Sequence, residues 1–400
     1  MTEKTLQVGE KNKVAWRTFL KDVFICSLGA YGGPEAHYGV FTDQMVAKKK
    51  YLSEEELVEL IALTGILPGP SSTQTIVSIG YKTGGPVLAA LTLIVWALPV
   101  LTAMVLLSFL SQFLERLNIS QDGLRYIGPM AVGFILVAAY RIGRKVVKDS
   151  LTMALLIFGA VTTYFIREPW IFPLVLITGG VVSTLYTKEE DLWNRVRLNP
   201  PWPYLIVFIT FAAGSLLLAY LLDHRIIQLF EKFYRYGYLV IGGGQVVIPL
   251  MYSELVEVNR YLTSQEFLTG FGLVQGLPGP MFSFSAYAGG LAARDGSTLF
   301  QVAGAVTSGI AVFLPGILLI YFIYPIWVNL KKIKGIKVAI KGITAVAGGL
   351  LTVAAVVLMQ NSGFQIDNFV VMTITAILLF TKKLPAPIIV LLVLMTGFII

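Results

Sequence analysis

Two stretches of sequence decide the fold of this chain: Leu67-Pro-Gly-Pro-Ser-Ser-Thr-Gln74 and Leu277-Pro-Gly-Pro-Met-Phe-Ser-Phe284. They lie 210 residues apart, and at the same offset Gly32-Gly33 matches Gly242-Gly243. Segments 51–70 and 261–280 are identical at eight of twenty positions, where about one match is expected by chance. Because the matched residues include Tyr, Glu and Pro as well as Leu and Gly, coincidence between apolar segments does not explain them. The sequence therefore contains an internal repeat.

The glycine and proline clusters of each repeat interrupt segments that are too short to be ordinary membrane spans. In the first half, Gly32-Gly33-Pro34 separates 14–31 from 34–48, and Pro68-Gly69-Pro70 separates 53–66 from 71–83. The second half has the same arrangement around Gly242-Gly243-Gly244 and Pro278-Gly279-Pro280. Proline and glycine weaken a helix, and irregular backbone at membrane depth is tolerated only inside protein or beside a water-filled cavity. The pattern predicts four helical hairpins that enter the membrane and return.

The composition is typical of a membrane protein. Hydrophobic residues make up 56% of the chain and charged residues 14%, with a mean hydropathy of +0.75. A soluble domain carries about a quarter charged residues, so lipid must face much of this chain. Full spans are predicted where apolar runs are long enough to cross a bilayer, at 85–112, 122–144, 150–166, 170–187, 203–222, 297–329, 338–360, 366–381 and 385–400.

The distribution of Lys and Arg sets the predicted topology. With a cytoplasmic N-terminus and hairpins that return to their starting side, the inner segments hold 23 basic residues and the outer segments eight, in agreement with the positive-inside rule. Five spans precede the second half, which is therefore inverted. The prediction is an all-α integral membrane protein with two inverted-topology repeats, re-entrant or broken helical hairpins and about nine full transmembrane spans. Its parts are a cytoplasmic tail (1–13), a first repeat (14–187), a connector with one span (188–223) and a second repeat (224–400).

The chain offers little for catalysis or metal binding. Cys26 is the one cysteine, and His37 and His224 are the two histidines, which excludes an internal disulfide framework and argues against a metal site. Neither histidine lies in a His-Glu-x-x-His motif, so no enzyme activity is expected. A Walker-type loop ending in Gly-Lys-Ser/Thr is absent from the sequence, and no cofactor is predicted. The net charge of +8 comes mostly from short loops, so topology explains it better than nucleic-acid binding does.

Each Pro-Gly-Pro turn precedes a predicted helix start. A helix N-terminus exposes unpaired N–H groups with about half a positive charge, which suits an anion, and hydroxyls add donors without a fixed charge. Two such starts are predicted to hold a tetrahedral oxyanion between them. The alternative is that the Pro-Gly-Pro segments serve only as tight turns and that the hydroxyls serve only to cap the helices. The predicted substrate-binding residues are Gly32, Gly33, Pro34, Pro68, Gly69, Pro70, Ser71, Ser72, Thr73, Gln74, Gly243, Gly244, Gln245, Pro278, Gly279, Pro280, Met281, Phe282, Ser283 and Ser285.

Glu35, His37 and Asp43, which follow Gly33, are candidates for proton coupling. An ionisable group at membrane depth is a functional hypothesis by default, and histidine titrates near neutral pH. The alternative for His37 is a structural hydrogen bond or a place at the membrane interface. At the repeat offset His37 matches Val247, so a proton role would belong to one half only.

Other acidic residues are expected to be structural. Glu54-Glu55-Glu56 follows Ser53 and predicts a capped helix start. In the second half, Glu254 and Glu257 are expected to be solvated near the end of a hairpin.

Four motifs together resemble the chromate ion transporter (CHR) family, in the family's order and over nearly the whole chain, as in its long two-domain members. These are Gly32–Gly39, Leu67–Gln74, Gly242–Pro249 and Gly276–Phe284. The resemblance implies export of chromate from the cytoplasm, with sulfate as a similar oxyanion, powered by the electrochemical gradient. Members often carry Asn close after the second Pro-Gly-Pro, where this chain has Ser283, and this departure is expected to bear on substrate preference.

The expected function is therefore secondary active efflux by alternating access in the cytoplasmic membrane, which would give chromate resistance. The expected partners are the oxyanion and the lipid bilayer, with a homodimer as a candidate assembly. The alternatives are an oxyanion-selective channel and an uptake carrier for another tetrahedral anion such as sulfate.

Overall fold

The computed structural model describes residues 15–116, 121–193, 196–241, 244–363 and 365–399. Within these ranges all regular structure is helical. The first half contains α1 Trp16–Gly29, α2 Pro34–Phe41, α3 Glu54–Ile66, α4 Ser71–Leu107, α5 Leu110–Arg116, α6 Ile127–Val146, α7 Ser150–Phe165 and α8 Ile171–Tyr186. The connector is α9 Trp202–Leu221. The second half contains α10 Arg225–Leu239, α11 Ile248–Tyr252, α12 Ser264–Gln275, α13 Phe284–Ala292, α14 Thr298–Ala311, α15 Leu314–Ile323, α16 Trp327–Leu330, α17 Lys334–Asn361, α18 Ile366–Thr381 and α19 Ala386–Ile399.

The apolar helices lie where spans are predicted from the sequence, and they fit a multi-pass membrane protein. Within α4, Gly84 and Gly85 have non-helical backbone angles, so the helix divides into a short leg before them and a long apolar part from Pro86. Five segments are long and apolar enough to cross a bilayer: 71–107, 127–146, 202–221, 298–330 and 334–361. Four shorter apolar helices are 150–165, 171–186, 366–381 and 386–399.

The internal repeat is visible in the backbone as well as in the sequence. Thr42–Lys48 and Ser253–Val258 are both π-helical. Each is followed by a residue with a left-handed backbone, Lys50 with φ 54° and Arg260 with φ 52°, exactly one repeat offset apart. Because non-glycine residues rarely adopt positive φ, this match is specific evidence of a common local structure.

Matching capping boxes lie at the N-termini of α3 and α12, which are the third helices of the first and second halves. The hydroxyl of Ser53 accepts a hydrogen bond from the backbone N–H of Glu56, and the Glu56 carboxylate accepts one from the N–H of Ser53. Thr263 and Glu266 make the same reciprocal pair at the start of α12. The capping predicted at Ser53 is confirmed, and such a cap stabilises a helix end by about 1 kcal/mol.

The two halves pack through each other's cores. Buried residues of α1 to α4 form one cluster with Ile317, Ile320 and Tyr321 of the second half. Buried residues of α10 to α13 pack with Val100 and Met104 of the first half, in a second cluster. The hairpins of each half therefore lie against a long apolar segment of the other half, which brings both Pro-Gly-Pro turns into the interior.

A second contact between the halves is made by α17, which packs against α6, α7 and α8. A methyl group at Gly349 would lie 2.1 Å from the carbonyl oxygen of Leu156 in α7, and one at Gly342 would lie 2.1 Å from that of Gly179 in α8. Small residues allow such close approach, which favours helix association in a membrane. These helices form a tightly packed support beside the hairpins.

Candidate anion site at the two Pro-Gly-Pro turns

The two Pro-Gly-Pro turns have the same backbone and the same kind of anchor. Gly69 has φ 128° and Gly279 has φ 112°, values that glycine adopts without strain. The N–H of Gly69 donates to the carbonyl oxygen of Val240 at 2.7 Å, and the N–H of Gly279 donates to that of Ala30 at 2.7 Å. Ala30 and Val240 are themselves one repeat offset apart. Each turn is thus fastened to the first hairpin of the opposite half.

A helix starts directly after each turn. Pro70 precedes α4 with an extended backbone and no side-chain cap, and the first helical bond runs from the N–H of Gln74 to Pro70 at 2.9 Å. After Pro280, a 3-10 turn at Met281–Ser283 leads into α13. Helix starts leave their first N–H groups without intrahelical partners. The structure therefore has a helix N-terminus at both predicted places, although the second begins with a tighter turn.

In the first half, four side chains form a connected group at the start of α4. His37 Nδ1 lies 3.0 Å from the Ser72 hydroxyl, and the indole N–H of Trp96 donates to Thr73 Oγ1 at 3.2 Å. The rings of His37 and Trp96 meet edge to face, with centroids 5.4 Å apart. His37 is 2% exposed, Ser72 5% and Thr73 3%, so the group is dry and its geometry is fixed by packing.

This group reaches the second Pro-Gly-Pro turn through Ser27. The Ser27 hydroxyl donates to the carbonyl oxygen of Trp96 at 2.7 Å, and a methyl group placed on Gly279 would lie 3.6 Å from Ser27 Oγ. The hydrogen-bonded group of the first half therefore adjoins the turn of the second. Sequence reasoning missed Trp96 and Ser27, because one lies in a long apolar run and the other is a single serine in α1.

Gln74 connects its own turn to the second half. Its side-chain amide donates to the carbonyl oxygens of Pro68 at 2.7 Å and Gly316 at 3.3 Å, while its buried Oε1 has no partner in the described chain. A small cavity beside it is lined by Pro70, Thr73, Gln74, Val77, Leu93, Phe313, Gly316 and Ile317. About 10 Å³ of this cavity is available to a water-sized guest, roughly the room of one water molecule.

In the second half, Ser283 and Ser285 are fully buried. Neither hydroxyl has a hydrogen-bond partner among the described residues. In the first half, the residue matched to Ser285 is Thr75, whose hydroxyl lies 2.8 Å from that of Thr64. The position matched to Thr64 is Val274, an apolar residue, so Ser285 lacks this partner. Buried polar groups without partners are rare, and here two of them lie at a helix start.

The remaining predicted residues surround this centre at different depths. Gly33 caps α2 with φ 91° and Pro34 is its first residue. Gly244 opens a 3-10 turn that includes Gln245, whose Oε1 is buried without a partner in the described chain. The prediction at Gly243 falls outside the described residues. Gly32 is exposed, Ser71, Pro68, Pro278 and Met281 are half-buried, and Phe282, Pro70 and Pro280 are buried.

The structure separates the three proton-coupling candidates. His37 lies in the buried group at the start of α4, whereas Glu35 and Asp43 are exposed, and Asp43 pairs with Lys48 at 2.6 Å. Within the described ranges, no three His, Cys, Asp or Glu side chains gather as a metal site. Of the three candidates, His37 makes a side-chain hydrogen bond to a predicted substrate-binding residue, Ser72.

Two buried charged clusters were not found from the sequence. The expectation that Glu254 is solvated is wrong: its side chain is 2% exposed. It accepts hydrogen bonds from Arg235 at 2.7 and 3.1 Å and from the Tyr236 hydroxyl at 2.5 Å. Folding α10 against the π-helical segment brings these residues together, which spacing along the chain does not reveal. Glu257 is partly exposed and pairs with Arg167.

The first half has a related cluster at the equivalent place. Asp22, 2% exposed, accepts from the Gln44 amide at 2.9 Å and the Tyr51 hydroxyl at 2.6 Å, and Lys49 lies 3.3 Å away. At the repeat offset Gln44 matches Glu254, and Asp22 matches Lys232. Each half thus has a polar link between its first helix and its π-helical segment. An acidic residue inside the apolar α1 was the available sign of this cluster.

Comparison with known proteins identifies relatives for both halves. The sequence model of a family described as "Chromate transporter" matches residues 17–184 and 227–399. A probable chromate transport protein of Synechococcus elongatus is 29% identical over 381 residues, covering 94% of each chain. A chromate transport protein of Cupriavidus metallidurans is 26% identical over 364 residues, covering 90% of this chain and 87% of that protein.

A shorter relative matches less than half of the chain. An uncharacterized transporter of Bacillus subtilis is 28% identical over 165 residues, which cover 41% of this chain and 83% of that protein. No solved structure matches the chain. The relatives carry names of transport proteins, which fits a protein that is not an enzyme.

Proposed function

Because the chain belongs to the chromate transporter family, we propose that it is a secondary active transporter that exports chromate, and divalent oxyanions like sulfate, across the cytoplasmic membrane by alternating access. The observation that best supports this proposal is a reciprocal pair of backbone hydrogen bonds: the N–H of Gly69 donates to the carbonyl oxygen of Val240, and the N–H of Gly279 donates to that of Ala30. Each bond fastens one turn to the first hairpin of the other half, which supports a site shared between the two helix starts. Interior broken helices at the interface of two repeats are where secondary transporters bind their substrates.

The proposed topology has nine crossings and an inverted second half. The distribution of basic residues, 23 inner against eight outer, supports a cytoplasmic N-terminus. In this arrangement the first-half hairpins enter from the cytoplasm and the second-half hairpins from outside. The matched elements then approach the same midplane site from opposite sides.

The anion is proposed to lie between the helix starts after Pro70 and Pro280. Backbone N–H groups and positive helix ends attract a dianion without a permanent ion pair, so the ion can also leave. The unpartnered hydroxyls of Ser283 and Ser285 supply donors that a bound oxyanion would satisfy. On the first-half side, Ser72 and Thr73 supply hydroxyls within a buried group.

Alternating access requires the site to open toward one side at a time. The cavity beside Gln74 has room for about one water molecule, and we propose that the halves separate locally to admit the larger oxyanion. A site that opens only through such a separation is expected of a carrier rather than of a continuously open channel. Since each turn is fastened to the opposite hairpin, movement of one hairpin is expected to displace the other turn.

The test is chromate uptake into inverted membrane vesicles, in which export runs inward. Ser72→Ala, Thr73→Ala, Ser283→Ala and Ser285→Ala are compared one at a time at equal protein levels. A matched control is Ser215→Ala, because Ser215 is also buried but its hydroxyl donates to the Ala212 carbonyl oxygen within its own helix, α9. Each site variant is expected to lose most uptake at low chromate, and the control none. Undiminished uptake in all four would refute the proposed site.

A further inference from the structure

His37 lies in an unusual place for a histidine. Its side chain is 2% exposed, Nδ1 lies 3.0 Å from Ser72 Oγ, and Nε2 is buried with no partner among the described residues. Ser72 is in the first turn of α4, so the imidazole adjoins the helix start at which the anion is proposed to bind. An unpartnered buried ring nitrogen beside a helix N-terminus is a group prepared for a ligand rather than a finished structural contact.

The hydrogen bond between His37 and Ser72 runs in one of two directions, according to which nitrogen of the neutral ring carries the proton. The Ser72 hydroxyl has one proton to donate, and the bond to His37 is its one side-chain hydrogen bond in the described structure. In the first of these arrangements the Ser72 hydroxyl donates its proton to Nδ1, which satisfies that donor in a dry site. The neutral imidazole then carries its own proton on Nε2, which presents an unused N–H donor to the site.

A second proton would go to Nδ1 and would reverse this hydrogen bond. Nδ1–H then donates to Ser72 Oγ, and the Ser72 hydroxyl proton is free to rotate toward the anion. The protonated site therefore offers two donors, Nε2–H and the Ser72 hydroxyl, where the neutral site offers one. The proton comes from a hydronium ion on the side to which the site is open: one O–H bond breaks, one N–H bond forms at Nδ1, and a water molecule is left.

No fixed charge in the surroundings stabilises an imidazolium ion. The elements packed against α2 are α1, α4 and the π-helical segment Thr42–Lys48, and within the described residues none of their charged groups contacts the ring. On α2 itself Glu35 is exposed. The charged groups of these elements either are exposed or have other partners: Arg17, Lys21, Asp22 with Gln44 and Tyr51, Asp43 with Lys48, and Lys82 with Glu56.

We propose that His37 binds a proton only together with the oxyanion, so that the protein carries one proton with each anion in the same direction. This inference rests on the proposed function and names its coupling. A buried charge needs a counter-charge, and the transported dianion is the one charge that would face this ring. Binding of proton and anion is then mutually reinforcing, as linkage requires. Because the cargo keeps one net negative charge, a membrane potential that is negative inside still favours its exit.

Purified protein in liposomes tests the coupling, with the membrane potential held at zero by potassium and valinomycin. All buffers are kept alkaline enough for chromate to remain a dianion. One pH unit across the membrane is expected to drive chromate to about tenfold accumulation on the alkaline side, the value for one proton per anion. His37→Gln, which keeps a hydrogen-bonding side chain but cannot take the proton, is expected to give no accumulation. His224→Gln is the matched control, because His224 is exposed at the start of α10, and it should accumulate like the wild type.

Chromate exchange without any gradient separates the two proposals. Exchange in the wild type without pH-driven accumulation would overturn proton coupling and leave the proposed function standing, whereas loss of exchange in the wild type would overturn both. Accumulation on the acid side, or tenfold accumulation by His37→Gln, would also overturn the coupling.

A binding measurement keeps the coupling testable if His37→Gln does not exchange. Chromate binding in detergent is followed by thermal stabilisation at several pH values. We expect affinity to rise up to tenfold per unit fall in pH in the wild type and to be independent of pH in His37→Gln. An equal pH dependence in both proteins would overturn the role of His37.

Discussion

Replacing Ser283 or Ser285 by alanine is expected to make the protein more stable and a worse transporter. Both hydroxyls are fully buried without partners among the described residues. For ordinary core serines, whose hydroxyls are hydrogen-bonded, the same substitution loses stability. The opposite sign is expected here because the hydroxyl is kept for a ligand.

The magnitude follows from the environment of each hydroxyl. A buried polar group without a partner costs about 1–3 kcal/mol, and alanine removes this cost. Deleting one oxygen leaves a small cavity of roughly 12 Å³, which costs about 0.3 kcal/mol. Each variant should therefore gain about 0.7–2.7 kcal/mol in stability. A hydrogen bond to a charged ligand contributes about 1.5–3 kcal/mol, so chromate affinity should fall about 10- to 150-fold.

The two effects are measured on the same purified samples. Thermal unfolding in detergent gives the stability, and the chromate dependence of uptake into liposomes gives the apparent affinity. Ser215→Ala provides the control, because its hydroxyl bonds to the Ala212 carbonyl at 3.2 Å inside α9. This control should lose a little stability and no transport.

The result that would refute the reasoning is a loss of stability together with normal transport. It would show that Ser283 and Ser285 have structural partners and do not serve an anion. A loss of both properties in the two variants would equally contradict the sign predicted here.

Three further predictions concern the turn, the buried cluster and the topology. Gly279→Ala should lower the free energy of unfolding by about 1–3 kcal/mol, because φ at Gly279 is 112° and the new methyl group would lie 2.9 Å from a methyl group of Val100. The control Gly214→Ala, which has open space around it, should be neutral. Equal unfolding temperatures of the two variants would contradict this argument. Arg235→Met should lower the free energy of unfolding by about 3–5 kcal/mol, because the buried carboxylates of Glu231 and Glu254 lose the cation that they share. Unchanged expression and an unchanged unfolding temperature would show that the cluster is not stabilising. In intact cells, Asp295→Cys should react with an impermeant maleimide added from outside, whereas Lys145→Cys should react only after permeabilisation. If both positions react from the same side of the membrane, the proposed inversion is excluded.

The sequence by itself predicted the helices and their breaks with good accuracy. Proline and glycine act on the local backbone, so the turns at 68–70 and 278–280 could be placed without knowing any neighbour. The capping box at Ser53 is equally local, since its partners are three residues apart. The repeat offset carried these assignments into the second half, where the left-handed residue at Arg260 matches Lys50.

Several predictions could not be completed from the chain alone because they depend on contacts between distant residues. Nothing in the spacing of Trp96 and Thr73 predicts their hydrogen bond, which requires α4 to fold back after its break at Gly84 and Gly85. Glu254 was assigned to solvent for the same reason. Burial is a property of the surroundings, and α10 supplies the Arg235 that satisfies this carboxylate.

The sequence determined that this protein has two repeats with a Pro-Gly-Pro turn in each, because backbone breaks and helix periods are written in neighbouring residues. Only the tertiary structure decided how the repeats meet. It fastens Gly69 to Val240 and Gly279 to Ala30, places His37 on Ser72 and leaves Ser283 and Ser285 without partners in the described chain. The physical reason is that hydrogen-bond satisfaction in a dry interior depends on which distant groups arrive beside a side chain, and packing between the halves makes that choice.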